Sequence, residues 1–281
     1  MIITVPVAIS SAQSVAGPPR ARGTIRLTVR TRDNGTTLQT LRQSGSIRSL
    51  FPRTRGPNFD AVLINTAGGV TGGDRFQTEV NAQPDTRLTI TTQAAERAYR
   101  AATGETGMIC NHLTIGAGAR VNWLPQETIL FQGCAVHRSL RVEMAGDATL
   151  LMVEPLVFGR KAMGETLTDA HFDDKIEIYR NGQPAYVDMI KLRGDISAQL
   201  GRPHVGAGAG AMVSLVFVAK DAGASLAIVR GMIGETGGAS MIDDDILVLR
   251  LLAPDSYLLR KTLIPILNFL TNDTLPRCWM I

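Results

Sequence analysis

Aromatic side chains are scarce in this chain: Phe, Tyr and Trp make up 5% of its 281 residues. That leaves too few rings for the stacking platforms of single-strand nucleic-acid binders. No dense Lys/Arg run is present either, and the net charge of +4 permits acidic partners without demanding nucleic acid. Cysteine is sparse and odd in number. Cys110, Cys134 and Cys278 are scattered over most of the chain, which fits reduced thiols in a cytoplasmic protein better than a disulfide framework. Apolar runs such as Leu215-Val216-Phe217-Val218-Ala219 fall well short of the roughly 18 residues a membrane helix needs, so no membrane association is expected. Residues 1–9 are apolar but lack the positive start of a signal peptide. A G-x-S-x-G nucleophile elbow is absent. So are a tandem repeat of fixed period and, after Pro18-Pro19, a linker. The expectation is one domain over residues 1–281, with 1–20 as a flexible tail.

What is present is a globular composition, 44% apolar and 19% charged, on a chain long enough to bury a large core. Short alternating runs dominate. Residues 24–30, 87–91 and 140–144 each alternate and are soon followed by Gly, Asn, Asp or Pro, the pattern of many short strands with tight corners. The clearest hairpin turns on Asn181-Gly182, which supplies the positive φ angles of a type I′ turn. Two stretches read as helices. Residues 222–233 carry Leu226, Val229 and Ile233 on one face, with Gly234 placed to close the helix. The second starts at Asp255 or Ser256 and runs through Leu259, Leu263, Ile266, Leu267 and Leu270, with Pro265 expected to kink it. Its leucine stripe is expected to face the core. A mainly β chain of this kind can be a sandwich, a barrel or a solenoid, and the pattern does not choose among them.

The densest signal is Asn65-Thr66-Ala67-Gly68-Gly69-Val70-Thr71-Gly72-Gly73-Asp74-Arg75, placed directly behind the apolar run 61–64. A Walker loop would put Lys and Ser or Thr after the last glycine, and a dinucleotide fingerprint would open a helix. Here Asp74-Arg75 follows, and residues 75–80 alternate like a strand. Gly68, Gly69, Gly72 and Gly73 therefore read as a strand-to-strand corner.

Three carboxylates interrupt otherwise apolar patterns. Asp188 shares strand parity with Tyr186, Ile190 and Leu192, Glu154 lies between Leu150-Leu151-Met152-Val153 and Pro155-Leu156, and Asp74 closes the glycine loop. Burying an ionised carboxylate costs several kcal/mol unless it is paired, hydrated or metal-bound. The plainer reading has Asp74 bonding turn amides, Asp188 meeting an arginine across its hairpin, and Glu154 at a solvated strand end. The functional reading has them line a water-filled passage. Cys110, His112, Cys134 and His137 are further candidate metal ligands, although their spacing matches no zinc ribbon or finger. Cys134, His137 and Asp147 are the residues a Cys/His hydrolase would use, and residue type alone supports that alternative of a small-molecule or metal-binding β protein with hydrolase activity.

The glycine loop resembles the AGG-x-x-GGD signature of the urease accessory protein UreD family, called UreH in some bacteria. The resemblance extends through residues 91–100 (TTQAAERAYR), 125–131 (PQETILF), 156–165 (LVFGRKAMGE), 237–240 (GGAS) and 275–279 (LPRCW). It implies a mainly β, β-helix-like solenoid carrying two α-helices. It also implies a non-catalytic urease maturation factor that binds apo-urease and UreF, and UreG through UreF, and assists nickel insertion. In that family an internal passage walled by carboxylates is the proposed nickel route. The matching positions are Asp74, Glu154 and Asp188, with Glu96 standing where the family often has a small polar residue. The resemblance implies no tightly bound cofactor, only transient Ni²⁺.

Overall fold

The computed structural model describes residues 19–33, 35–53 and 57–280, so the expected tail over 1–20 lies almost wholly outside the described residues. The first strands are β1 (Arg22–Arg32), β2 (Gly35–Gly45), β3 (Ile47–Leu50), β4 (Phe59–Asn65), β5 (Arg75–Ala82), β6 (Arg87–Thr92), β7 (Glu96–Ala98), β8 (Gly107–Ile115) and β9 (Arg120–Leu124). There follow β10 (Thr128–Leu130), β11 (Ala135–Met144), β12 (Thr149–Phe158), β13 (Ala170–Arg180), β14 (Gln183–Gly194), β15 (Ala211–Val218), β16 (Gly237–Asp243) and β17 (Ile246–Ala253). They form a seven-stranded sheet in the order β14-β13-β11-β8-β5-β1-β2 and a ten-stranded sheet along β16-β17-β15-β12-β9-β6-β4-β3, with β10 and β7 beside β12.

The chain steps from one sheet to the other on every coil. As a result β5, β8, β11 and β13 stack in parallel in the first sheet, and β4, β6, β9 and β12 do so in the second. This is a β-solenoid of about 4 turns, the architecture the resemblance implied. Antiparallel strands finish its ends, among them the β13–β14 hairpin, whose Asn181 and Gly182 both hold positive φ as a type I′ turn needs.

Strand alternation fills the space between the sheets. Ile25, Leu27 and Val29 of β1, Leu113 and Ile115 of β8, and Leu150 and Met152 of β12 all point there. The second sheet is covered on its other face too. Leu151 and Val153 of β12 and Val213, Leu215 and Phe217 of β15 pack with the helices into a second core. That double cover explains the consecutive apolar residues 150–153 of β12.

Three α-helices occur among the described residues, α1 (Ile196–Leu200), α2 (Ala222–Met232) and α3 (Ser256–Thr271). The sequence pattern showed the last two. The extra helix, α1, has 5 residues, too few to carry a 3.6-residue period, and is started by Asp195, whose side chain accepts from the Ala198 N–H. Arg193 and Gly194 end β14, and Asp195 leads directly into that helix. α2 ends at Met232 with Ile233 extended beyond it, so Gly234 does not close it. α3 begins with Asp255 accepting from Leu258 N–H at 2.8 Å and ends at Asn272 in the left-handed conformation. Its leucine stripe is buried in the second core. No helix of the described residues is long and apolar enough to cross a membrane.

Candidate functional site

The glycine loop is a corner between β4 in one sheet and β5 in the other. Val70 N–H donates to the Arg97 carbonyl and Tyr99 N–H to the Val70 carbonyl, both at 2.8 Å, which staples the corner to β7. Gly73 holds φ +84°, a conformation costly for a β-branched side chain. Gly72 is required for space instead, because a Cβ there would meet the Glu105 and Ala101 Cβ atoms at 2.7 and 2.8 Å. Asp74 completes the corner. It is 4% exposed, and its carboxylate accepts from Ala21 N–H at 2.7 Å and Thr71 N–H at 2.9 Å. The Thr71 contact is the turn-amide bond of the plainer reading, and the Ala21 contact ties the corner to the residue just before β1.

Between the sheets lies a cavity of about 230 Å³ whose wall includes Glu96, Trp123, Thr128, Arg138 and Glu154. Glu154 is buried rather than at a solvated strand end, because β12 carries it inward between Met152 and Leu156. Its Oε1 accepts from Trp123 Nε1 at 2.8 Å, and its Oε2 meets Arg138 Nη1 at 2.5 Å. Arg138 also donates from Nε and Nη2 to Asp174 at 3.0 and 2.7 Å, donates from Nη1 to Thr128 at 3.1 Å, and lies 5.4 Å from the Phe172 ring centre. All three ionisable groups are 3–4% exposed. Burial raises the Glu154 carboxyl above its usual range; the Arg138 charge opposes that shift and Asp174 adds to it. Burial also works against the Arg138 charge, but Asp174 and Glu154 outweigh it and raise the guanidinium.

Glu96 reaches the same cavity from β7. Asn65 Nδ2 donates to its two oxygens at 3.2 and 3.1 Å and Arg97 N–H to Oε1 at 3.2 Å. Burial raises its carboxyl, and the nearby Asp74 charge pushes the same way. Glu96 and Glu154 are therefore brought together on one wall, with Asp74 behind Glu96 in the glycine corner.

Asp188 stands apart. Tyr186, Ile190 and Leu192 pack against the core on its face of the strand, but β14 is an edge strand and leaves Asp188 half-buried. Its arginine partner is Arg250 of β17, in the opposite sheet rather than across the hairpin. Arg250 also donates to Ser214 Oγ at 3.1 Å.

The cysteines and histidines do not assemble. No cluster of three or more His, Cys, Asp or Glu side chains suited to a metal ion occurs among the described residues. Cys110 and His112 share the outer face of β8, and His112 stands 3.9 Å from Glu143. Cys134 is buried, which pushes its thiol up to about 11. His137, on β11, alternates with the buried Val136 and Arg138 and so points outward. Asp147 accepts from Gly118 N–H at 3.1 Å in another corner. A buried, hard-to-ionise thiol with an outward histidine is a poor nucleophile–base pair.

Sequence reasoning missed Arg138, Asp174 and Trp123. The signal was available. Arg138 has the parity of Val136, Leu140 and Val142, and Asp174 that of Phe172, Ile176 and Ile178, so each breaks an apolar face just as Asp188 does.

The scattered motif segments also converge. Arg160 stacks 4.2 Å from the Phe131 ring centre and pairs with Glu165, whose Oε1 accepts from Gln132 N–H at 3.2 Å, while Tyr99 meets Phe131 edge-on at 5.1 Å. Trp279 is fully buried with Nε1 donating to the Leu124 carbonyl at 3.0 Å, and Arg260 donates to Glu127 at 3.0 and 3.1 Å and to the Trp279 carbonyl at 2.8 Å.

A sequence profile described as UreD urease accessory protein matches residues 21–280. Relatives named urease accessory protein UreD include one from Ruegeria pomeroyi, 54% identical over 87% of this chain and 95% of the relative. One from Roseobacter denitrificans is 50% identical over 94% and 96%. Another, from a Chelativorans species, is 41% identical over 96% and 99%. With a match over nearly the whole chain, and with the family's separated motifs packed against one another in the fold, this chain belongs to the UreD urease accessory protein family.

Proposed function

We propose that this chain is a non-catalytic urease maturation factor of the cytoplasm, which binds apo-urease and UreF, and UreG through UreF, and assists nickel insertion. The observation that carries the reading is the placement of Glu96 and Glu154 on one wall of the cavity inside the solenoid. Carboxylate oxygens hold Ni²⁺ through hard, exchangeable bonds, whereas thiolate and imidazole ligands would retain it. Ni²⁺ is cargo here. In this reading Asp74 supplies negative charge behind Glu96, and Asp188, paired with Arg250, marks a further point along the route. The hydrolase alternative loses ground because the Cys134 thiol is buried and His137 points away from it.

The test is co-expression with a urease operon at limiting nickel. Glu154→Gln and Glu96→Gln should lower the nickel content and activity of urease while the complex with UreF and UreG still co-purifies. Full activation by both variants would remove the passage reading. Ester or peptide hydrolysis abolished by Cys134→Ala would favour the hydrolase.

A further inference from the structure

The Glu154 carboxylate is already engaged on both oxygens, by Trp123 on one and by Arg138 on the other. Arg138 cannot swing away to make room. Asp174 grips it through two nitrogens, Thr128 takes a third contact and Phe172 backs the guanidinium. β11 and β13 place Arg138 and Asp174 directly opposite each other. A permanent positive charge is thus fixed beside a cavity-lining carboxylate, and the buried group of Arg138, Glu154 and Asp174 holds one positive against two negative side chains.

We infer that Arg138, held by Asp174, is a positioning residue that keeps Glu154 a weak site for divalent cations, because its fixed charge competes with any ion reaching that carboxylate from the cavity. This rests on the nickel-passage reading and specifies how a site on that route avoids becoming a trap. An unpaired carboxylate on a poorly solvated wall would attract a divalent ion strongly, since charges interact more steeply where water is excluded. A guanidinium in contact with the same oxygen repels the ion and occupies one of its ligand directions. Asp174 has the opposite influence. It keeps the group's charge negative enough to admit a cation and holds the guanidinium in place.

The test uses the purified full chain and Ni²⁺ alone, with affinity read by calorimetry and the site assigned by loss of the signal on adding Glu154→Gln. The double variant Arg138→Gln with Asp174→Asn removes one charge of each sign, so the net charge of the buried group is unchanged while the competing cation is gone. It should bind Ni²⁺ at least tenfold more tightly than the unaltered chain, and co-expressed urease should gain nickel more slowly. Asp174→Asn alone keeps Arg138 against Glu154 and should bind at least tenfold more weakly. Circular dichroism establishes that each variant is folded. Ni²⁺ affinity unchanged in Asp174→Asn, or no tighter in the folded double variant, would overturn the inference, and a purely structural role for Arg138 gives no tightening. The two readings fail separately. Normal urease activation by both Glu154→Gln and Glu96→Gln removes the passage but leaves the affinity changes standing, whereas impaired activation without those changes removes only the role of Arg138.

Discussion

Asp74→Ala separates the two readings of the glycine corner. The carboxylate accepts two backbone N–H groups, from Ala21 and Thr71, and at 4% exposure water has little access to replace it. A hydrogen bond to a charged group contributes roughly 1.5–3 kcal/mol, and a buried donor left unpaired adds a desolvation cost. Two such contacts, reduced by relaxation of the loop, give a loss of about 3 kcal/mol. At about 2–4 °C per kcal/mol for a domain of this size, the melting temperature should fall by about 6–12 °C. Asp74→Asn keeps one acceptor oxygen and should lose about half as much. Thermal unfolding by circular dichroism reads the shift, and urease activation in co-expression reads the consequence. If Asp74 acts by locking the corner, activation should fall in step with stability and recover when cells are grown cold. A melting temperature for Asp74→Ala within about 1 °C of the unaltered chain would refute the reasoning, since the two amides would then cost almost nothing unpaired.

Three further outcomes follow from the geometry. Gly72→Val should destabilise the fold by about 1–3 kcal/mol through overpacking, because even a Cβ at that position collides with Glu105 and Ala101; unchanged thermal unfolding would contradict the space argument. Glu165 is held down to about 2, chiefly by its hydrogen bonds from Arg160, against an ordinary value of 4.5. Its contribution is therefore full above about pH 4.5 and is lost as pH falls toward about 2, so the stability gap between the unaltered chain and Glu165→Gln should shrink over that window. Burial pushes Asp60 up to about 6 from 3.8, so the folded state holds its proton more firmly and stability declines as pH rises through that interval. Asp60→Asn should then stabilise the chain at pH 7 by about 1 kcal/mol, a value discounted because water reaches part of the group, and the gain should vanish below about pH 4 in chemical denaturation.

Local pattern was sufficient for the main strands and the two longer helices, though not for the five-residue α1. Period-2 alternation marked the strands, Asn181-Gly182 the hairpin turn, Asp255 and the leucine spacing helix α3, and paired glycines followed by an alternating run the corner at Gly68 to Gly73. Each depends on residues a few positions apart, so the sequence carries the signal directly. The solenoid does not announce itself in the same way. Phe76, Ile109, Arg138 and Asp174 stand side by side on successive coils, and the unequal spacing of those positions leaves no fixed repeat to detect, so the architecture was legible only through family resemblance.

The candidate site was partly readable. Apolar neighbours singled out Glu154 and Asp188, and resemblance supplied Glu96. That Glu96 and Glu154 share a cavity while Asp188 pairs with Arg250, and that Arg138 joins Glu154 to Asp174, were decided by the tertiary structure. The reason is physical. Parity tells which face of a strand a side chain occupies, but the partner it meets there is set by inter-sheet packing and by register between strands tens of residues apart, and those depend on how the whole chain coils.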